Sequence, residues 1–117
     1  IIASRQTLGQ LAETWACDYL QAQGFKLYTR NYRLRGGEID LIGQDGEHLV
    51  FAEVRYRSRE DFGGALYSVD LRKQQKIIRT AQHYLLLHPY DLACRFDVIA
   101  INAQQQITWL KNAFDAS

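Results

Sequence analysis

Glu38-Ile39-Asp40-Leu41-Ile42-Gly43-Gln44-Asp45-Gly46-Glu47-His48-Leu49-Val50-Phe51-Ala52-Glu53-Val54-Arg55 reads as two strands joined by a tight turn. An Asp-Gly pair between two runs of strand-forming residues is a strong hairpin signal. With Asp45 and Gly46 as the loop, Gln44 pairs with Glu47, Asp40 faces Phe51 and Glu38 faces Glu53. Strand side chains alternate between faces. Glu38, Asp40, Glu53 and Arg55 are therefore expected on one face, and Ile39, Leu41, Val50, Ala52 and Val54 on the other. Asp40 and Glu53 become diagonal neighbours with Cβ atoms roughly 7–8 Å apart. Two carboxylates at that spacing can both reach one divalent cation. Acids on neighbouring strands cost stability, and a cation or Arg55 would offset that cost. A solvated, charged strand face is the plainer alternative.

On either side of the hairpin the chain alternates between helix and strand patterns. Leu8, Leu11, Ala12, Trp15, Ala16, Tyr19 and Leu20 recur at helical spacing, which predicts a helix over Thr7–Gln23. Thr7 with Gln10 suggests a capping box at its start, and Gly24 suggests a stop at its end. Phe25–Tyr32 reads as a strand, Arg35-Gly36-Gly37 as a break, and Ser58–Leu66 as a polar loop. Ile77, Ile78, Ala81, Tyr84 and Leu85 form the apolar stripe of a second helix over Asp70–Leu87. Arg95–Asn102 is a strand with apolar residues on both sides of its later half, as expected for a central, doubly covered strand. Gln106–Leu110 is a fifth. The predicted architecture is an α/β, single-domain α-β-β-β-α-β-β sandwich over residues 1–117, with a mixed central sheet flanked by helices.

A chain of 117 residues that is 47% hydrophobic and 23% charged can bury a real core. No apolar run approaches the ~20 residues of a membrane helix, and no signal peptide is visible. The chain opens at Ile1 and has no methionine, so a few leading residues are expected to precede it. Cys17 and Cys94 stand apart from any C-x-x-C and from a histidine cluster, which argues against zinc. Two buried thiols in a reducing cytoplasm are the expectation. Net charge is only +1, yet ten of the 14 Lys and Arg lie between Arg30 and Arg79, along with eight acids. Ten of the 14 are Arg, the residue suited to bidentate phosphate contacts. This region is mixed, and nucleic-acid contact and a solvated surface are equally good readings of it.

Two helical residues extend the carboxylate pair. Glu13 lies at the edge of the first helix's apolar stripe and is placed to lean toward the sheet; an exposed helix glutamate is the alternative. Gln74 falls within the second helix's apolar stripe. A polar group there needs partners, supplied either by backbone or by a site.

Gly36-Gly37-Glu38-Ile39-Asp40-Leu41-Ile42 followed by Val50-Phe51-Ala52-Glu53-Val54-Arg55-Tyr56-Arg57 resembles the signature of the YraN-like bacterial proteins. Gly64-Ala65, Arg72-Lys73-Gln74 and Arg95-Phe96-Asp97-Val98 extend the resemblance over nearly the whole chain. That family is similar in fold to the PD-(D/E)xK, or restriction-endonuclease-like, nucleases, and especially to the Holliday-junction resolvases. The resemblance implies a nuclease-like domain binding Mg²⁺ or Mn²⁺, with Asp40 and Glu53 as ligands, the Val54 carbonyl as a third and Glu13 as a helix acid near the metal. Gln74 resembles a helix glutamine found beside such sites. Arg55 stands where the motif has Lys; it stays protonated, so it suits charge stabilisation and not proton abstraction. Arg33, Arg35, Arg57, Arg59, Arg72 and Lys73 would grip flanking phosphates without reading sequence. By analogy the partner is nucleic acid, DNA before RNA, branched or structured, with no membrane and with a homodimer left open. A binding module without catalysis and a protein-interaction domain are the alternatives.

Overall fold

A computed structural model describes residues 5–57 and 69–116 of the chain. The elements follow the predicted order: α1 (Arg5–Ala22), β1 (Lys26–Leu34), β2 (Gly37–Asp45), β3 (His48–Arg57), α2 (Leu71–Leu87), β4 (Ala93–Asn102) and β5 (Ile107–Phe114). The five strands lie in the order β1-β2-β3-β4-β5. All neighbours are antiparallel except β3 and β4, which run parallel across the crossover that contains α2. The predicted Ser58–Leu66 loop, Arg59 and Gly64-Ala65 lie outside the described residues.

One helix covers each face of the sheet. Ala12, Ala16 and Leu20 of α1 pack on Leu41, Val50, Ala52, Ile99 and Ile101. Ile77, Ala81 and Tyr84 of α2 pack on Ile39, Ile42, Leu49, Phe51, Phe96 and Val98. β4 supplies buried residues to both layers, as its doubly apolar second half predicts. Gly24 ends α1 as expected, with φ +92°. Its N–H donates to the Gln21 carbonyl and that of Phe25 to the Leu20 carbonyl, the paired bonds of a Schellman stop. The Thr7 cap does not hold, because α1 is already helical at Arg5. α2 is capped by Asp70, whose side chain accepts from the Lys73 N–H at 2.8 Å.

The hairpin differs from the prediction by one pair. Asp45 pairs with His48, so the loop is Gly46-Glu47. Gly46 has φ +58° while Glu47 stays out of the left-handed region, which is the primed turn that begins with glycine. The loop still has two residues, so face parity survives, but every pair shifts by two.

Candidate metal centre

The shifted register brings the two acids closer than expected. The regular ladder ends at Leu41 opposite Ala52, and just beyond it the Asp40 and Glu53 carboxyls lie within hydrogen-bond reach of each other. The backbone there is irregular. A regular ladder would next send the Val54 N–H to the Ile39 carbonyl; instead it donates to Asp40 Oδ2 at 2.8 Å. Ile39 and Ile42 both join the α2-side core, while Leu41 joins the α1 side. Ile39 therefore does not share a face with Leu41, as simple alternation had it. The same reversal occurs next door in β1. Arg30 reaches α1 through Glu13 and Thr14, whereas Tyr32 reaches α2 through His83 and Tyr84. Between them Asn31 has φ +53°, a conformation Asn tolerates better than most residues. Asp40 thus sits where two adjacent strands exchange faces.

A cleft of about 910 Å³ opens at this point. It is walled by Gly9, Ala12 and Glu13 of α1, by the β1–β2 turn, and by Arg72, Lys73, Lys76 and Ile77 of α2. Asp40, Glu53, Val54 and Arg55 form its floor. Gly37 allows α2 to come close: a Cβ there would meet Thr80 Oγ1 at 2.1 Å. The cleft's basic residues, Arg33, Arg55, Arg72, Lys73 and Lys76, are matched by the acids Glu13, Glu38, Asp40, Glu53 and Asp70.

Burial, the facing Glu53 carboxylate and a hydrogen bond to it push the Asp40 carboxyl up to about 9; the Val54 N–H pulls the other way and Glu13 adds to the rise. Glu53 is 5% exposed. Its Oε2 meets Lys73 Nζ at 2.7 Å and Arg55 Nη1 at 3.7 Å.

The other candidates divide. Glu13 lines the cleft, with its carboxylate 3.6 Å from Arg30. Glu38 lines the cleft and pairs with Arg33 at 3.1 Å. Gln74 donates to the Val69 carbonyl at 3.0 Å, the backbone partnership weighed for it, and the α2 residue seen on Glu53 is Lys73. Arg33 and Arg72 line the cleft, and Arg35 and Arg57 are exposed. Among the described residues no three His, Cys, Asp or Glu side chains form a metal-binding group. Two facing carboxylates nevertheless suit Mg²⁺, which commonly takes one or two carboxylates and keeps several waters. Cys17 is buried and Cys94 exposed, both free, so only one thiol is interior. No described helix is long and apolar enough to cross a membrane.

The profile of the uncharacterised protein family UPF0102 matches residues 12–101. A UPF0102 protein of Janthinobacterium sp. (strain Marseille) is 50% identical over 97% of this chain and 91% of its own length. One from Methylococcus capsulatus is 48% identical, covering 96% and 94%. One from Nitrosomonas europaea is 47% identical over 99% of this chain and all of its own.

Proposed function

The chain belongs to the uncharacterised protein family UPF0102, and from that premise and the geometry of the cleft we propose that it is a metal-dependent phosphodiesterase acting on nucleic acid. Asp40 and Glu53 hold one Mg²⁺ or Mn²⁺, with the Val54 carbonyl as a further oxygen donor and Glu13 acting through water. The observation that carries this reading is the facing, largely buried carboxylate pair at the floor of an open cleft. A carboxyl held protonated by burial and by a neighbouring carboxylate is a site that a cation would favour.

A cation held by Asp40 and Glu53 would supply Lewis-acid polarisation of a phosphate oxygen and a lowered pKa for a water. Arg55, beside Glu53, donates to the non-bridging oxygens as their charge grows. Arg33, Arg72 and Lys76 line the same cleft and hold flanking phosphates; Arg35 and Arg57 are exposed cations available to more distant ones. In the reaction the water oxygen bonds to phosphorus, the ester P–O bond breaks, and the departing oxygen leaves protonated. DNA, branched or structured, is the substrate assigned by analogy of fold.

The test is incubation of purified protein with branched, single-stranded and duplex DNA and with RNA, in Mg²⁺, Mn²⁺ or EDTA. Metal-dependent cleavage that disappears in Asp40→Asn is expected. Equal cleavage by wild type and Asp40→Asn points to a contaminating nuclease and removes the reading. One observation favours a second reading: Glu53 is already paired with two cations of the chain, as in a structural ion cluster of a non-catalytic binding or interaction domain. That reading expects no effect of divalent metal on thermal stability.

A further inference from the structure

Behind its Asp70 cap, α2 opens on basic residues. A helix N-terminus carries partial positive charge and favours acids in its first turn. Here the first turn has no acid, and Leu71 is followed by Arg72 and Lys73. Lys73, the third residue after the Asp70 cap, adds a full charge where the helix disfavours it. What holds it there is Glu53, at 2.7 Å. The two partners differ in freedom: the Lys73 side chain is 41% exposed and that of Glu53 only 6%. The carboxylate is fixed in the floor of the cleft, while the ammonium sits on a flexible stem at its mouth.

We propose that Lys73 is an exchangeable counter-ion: it neutralises Glu53 until a divalent cation arrives, then gives up that carboxylate and turns its ammonium to the phosphate of the bound strand. This rests on the metal-dependent reading above. Arg55 and Lys73 then divide the work that one motif lysine would do. Arg55 stays on the strand beside Glu53, and Lys73 moves between the acid and the substrate. The helix start that repels Lys73 attracts a phosphate, so the exchange places both on better partners. Lys73 needs no change of protonation at any point.

Lys73 competes with metal for Glu53, and that consequence separates it from a residue that merely supports the site. In Lys73→Ala, Mn²⁺ measured by calorimetry without nucleic acid should bind about fivefold more tightly, the size expected for removal of a half-exposed ion pair. Single-turnover cleavage by the same variant should fall roughly a hundredfold, as for loss of one charge contact to the transition state. Lys73→Arg should return Mn²⁺ affinity to the wild-type value and recover part of the cleavage. Thermal unfolding of each variant checks that the fold is retained. Mn²⁺ affinity that is unchanged or weaker in folded Lys73→Ala overturns the exchange while leaving the carboxylate site intact. A wild type that neither binds Mn²⁺ nor cleaves removes both readings together.

Discussion

Asp97 and Glu53 occupy neighbouring register steps of the parallel pair, Asp97 beside Ala52 and Glu53 beside Val98, and they point to opposite faces. Both are nearly or fully buried, at 0% and 5% exposure. Asp97 is saturated. It accepts from Arg95 Nε at 2.9 Å and Nη2 at 2.8 Å, from Trp109 Nε1 at 2.8 Å, and from the Asn112 N–H at 2.9 Å. Arg95 in turn reaches Asp45 at 2.7 Å, where Lys111 also lies at 3.1 Å. On the other face, Glu53 confronts a second acid, and that second acid is pushed toward its neutral form. The chain can therefore satisfy a buried carboxylate fully when its role is to hold strands together. At Glu53 the chain supplies Lys73 and Arg55, yet burial and the Glu53 carboxylate still hold Asp40 toward its protonated form.

The contrast is sharpest in stability. Asp97→Ala should cost about 3 kcal/mol or more, since it takes from Arg95 its doubly bonded carboxylate, leaving Asp45 alone, and strands the Trp109 and Asn112 N–H donors; urea unfolding measures it. A cost below about 1 kcal/mol would mean that Asp97 is no better served than Asp40 and would erase the distinction. Next in size is the barrier to cleavage. Arg55→Ala should slow single-turnover cleavage roughly a hundredfold, about 3 kcal/mol, and Arg55→Lys should preserve it, since either cation stabilises developing phosphate charge.

Asp40→Asn should do the opposite of Asp97→Ala. It should abolish Mn²⁺ binding yet raise the stability of the metal-free protein by about 1 kcal/mol or less at neutral pH. The pH profile gives the sign. The Asp40 carboxyl is raised from 3.8 to about 9 in the fold, so between those values the folded chain keeps a proton that the unfolded chain has lost. This group's contribution is complete below pH 4 and declines as pH rises toward 9. Thermal scans across that range should show a fall in wild type that is shallower in Asp40→Asn. A further test concerns the strand beside the site. Asn31→Val should cost about 1–2 kcal/mol by forcing a β-branched residue to positive φ, and Asn31→Gly should cost little; denaturation midpoints compare the two.

The order of elements was legible because each carries its own period: the α1 and α2 stripes at helical spacing, and strand-forming runs for β2, β3 and β4. Gly24 was legible because a left-handed stop needs glycine. The hairpin was placed one pair out because Gly46 can serve as either the second residue of an Asp-Gly turn or the first of a Gly-Glu turn, and composition alone does not choose. The Asp97 cluster was missed, although its signal was present: Arg95 and Asp97 stand two apart on one strand face, and an acid between Phe96 and Val98 needs a partner. Lys73 was read as a cation for flanking phosphates and not as a partner of Glu53, because that salt bridge depends on how α2 sits over β3, which no local pattern encodes. The exchange of faces at Asn31 and Asp40 also escaped strict alternation.

That exchange has a counterpart in crystals. A perfect sheet is a lattice in which each ladder bond is consumed by the next strand, and such a lattice has nothing left to offer a ligand. The paired slip at Asn31 and Asp40 acts as a dislocation: the row on one side is out of phase with the row on the other. The Val54 N–H, which the regular lattice would give to a carbonyl, goes to a carboxylate instead. Valences left open at such a line are where a solid takes up foreign atoms. In this sheet the slip is a half-period error with a left-handed asparagine at its edge, and the carboxylate it exposes lies on the floor of the cleft.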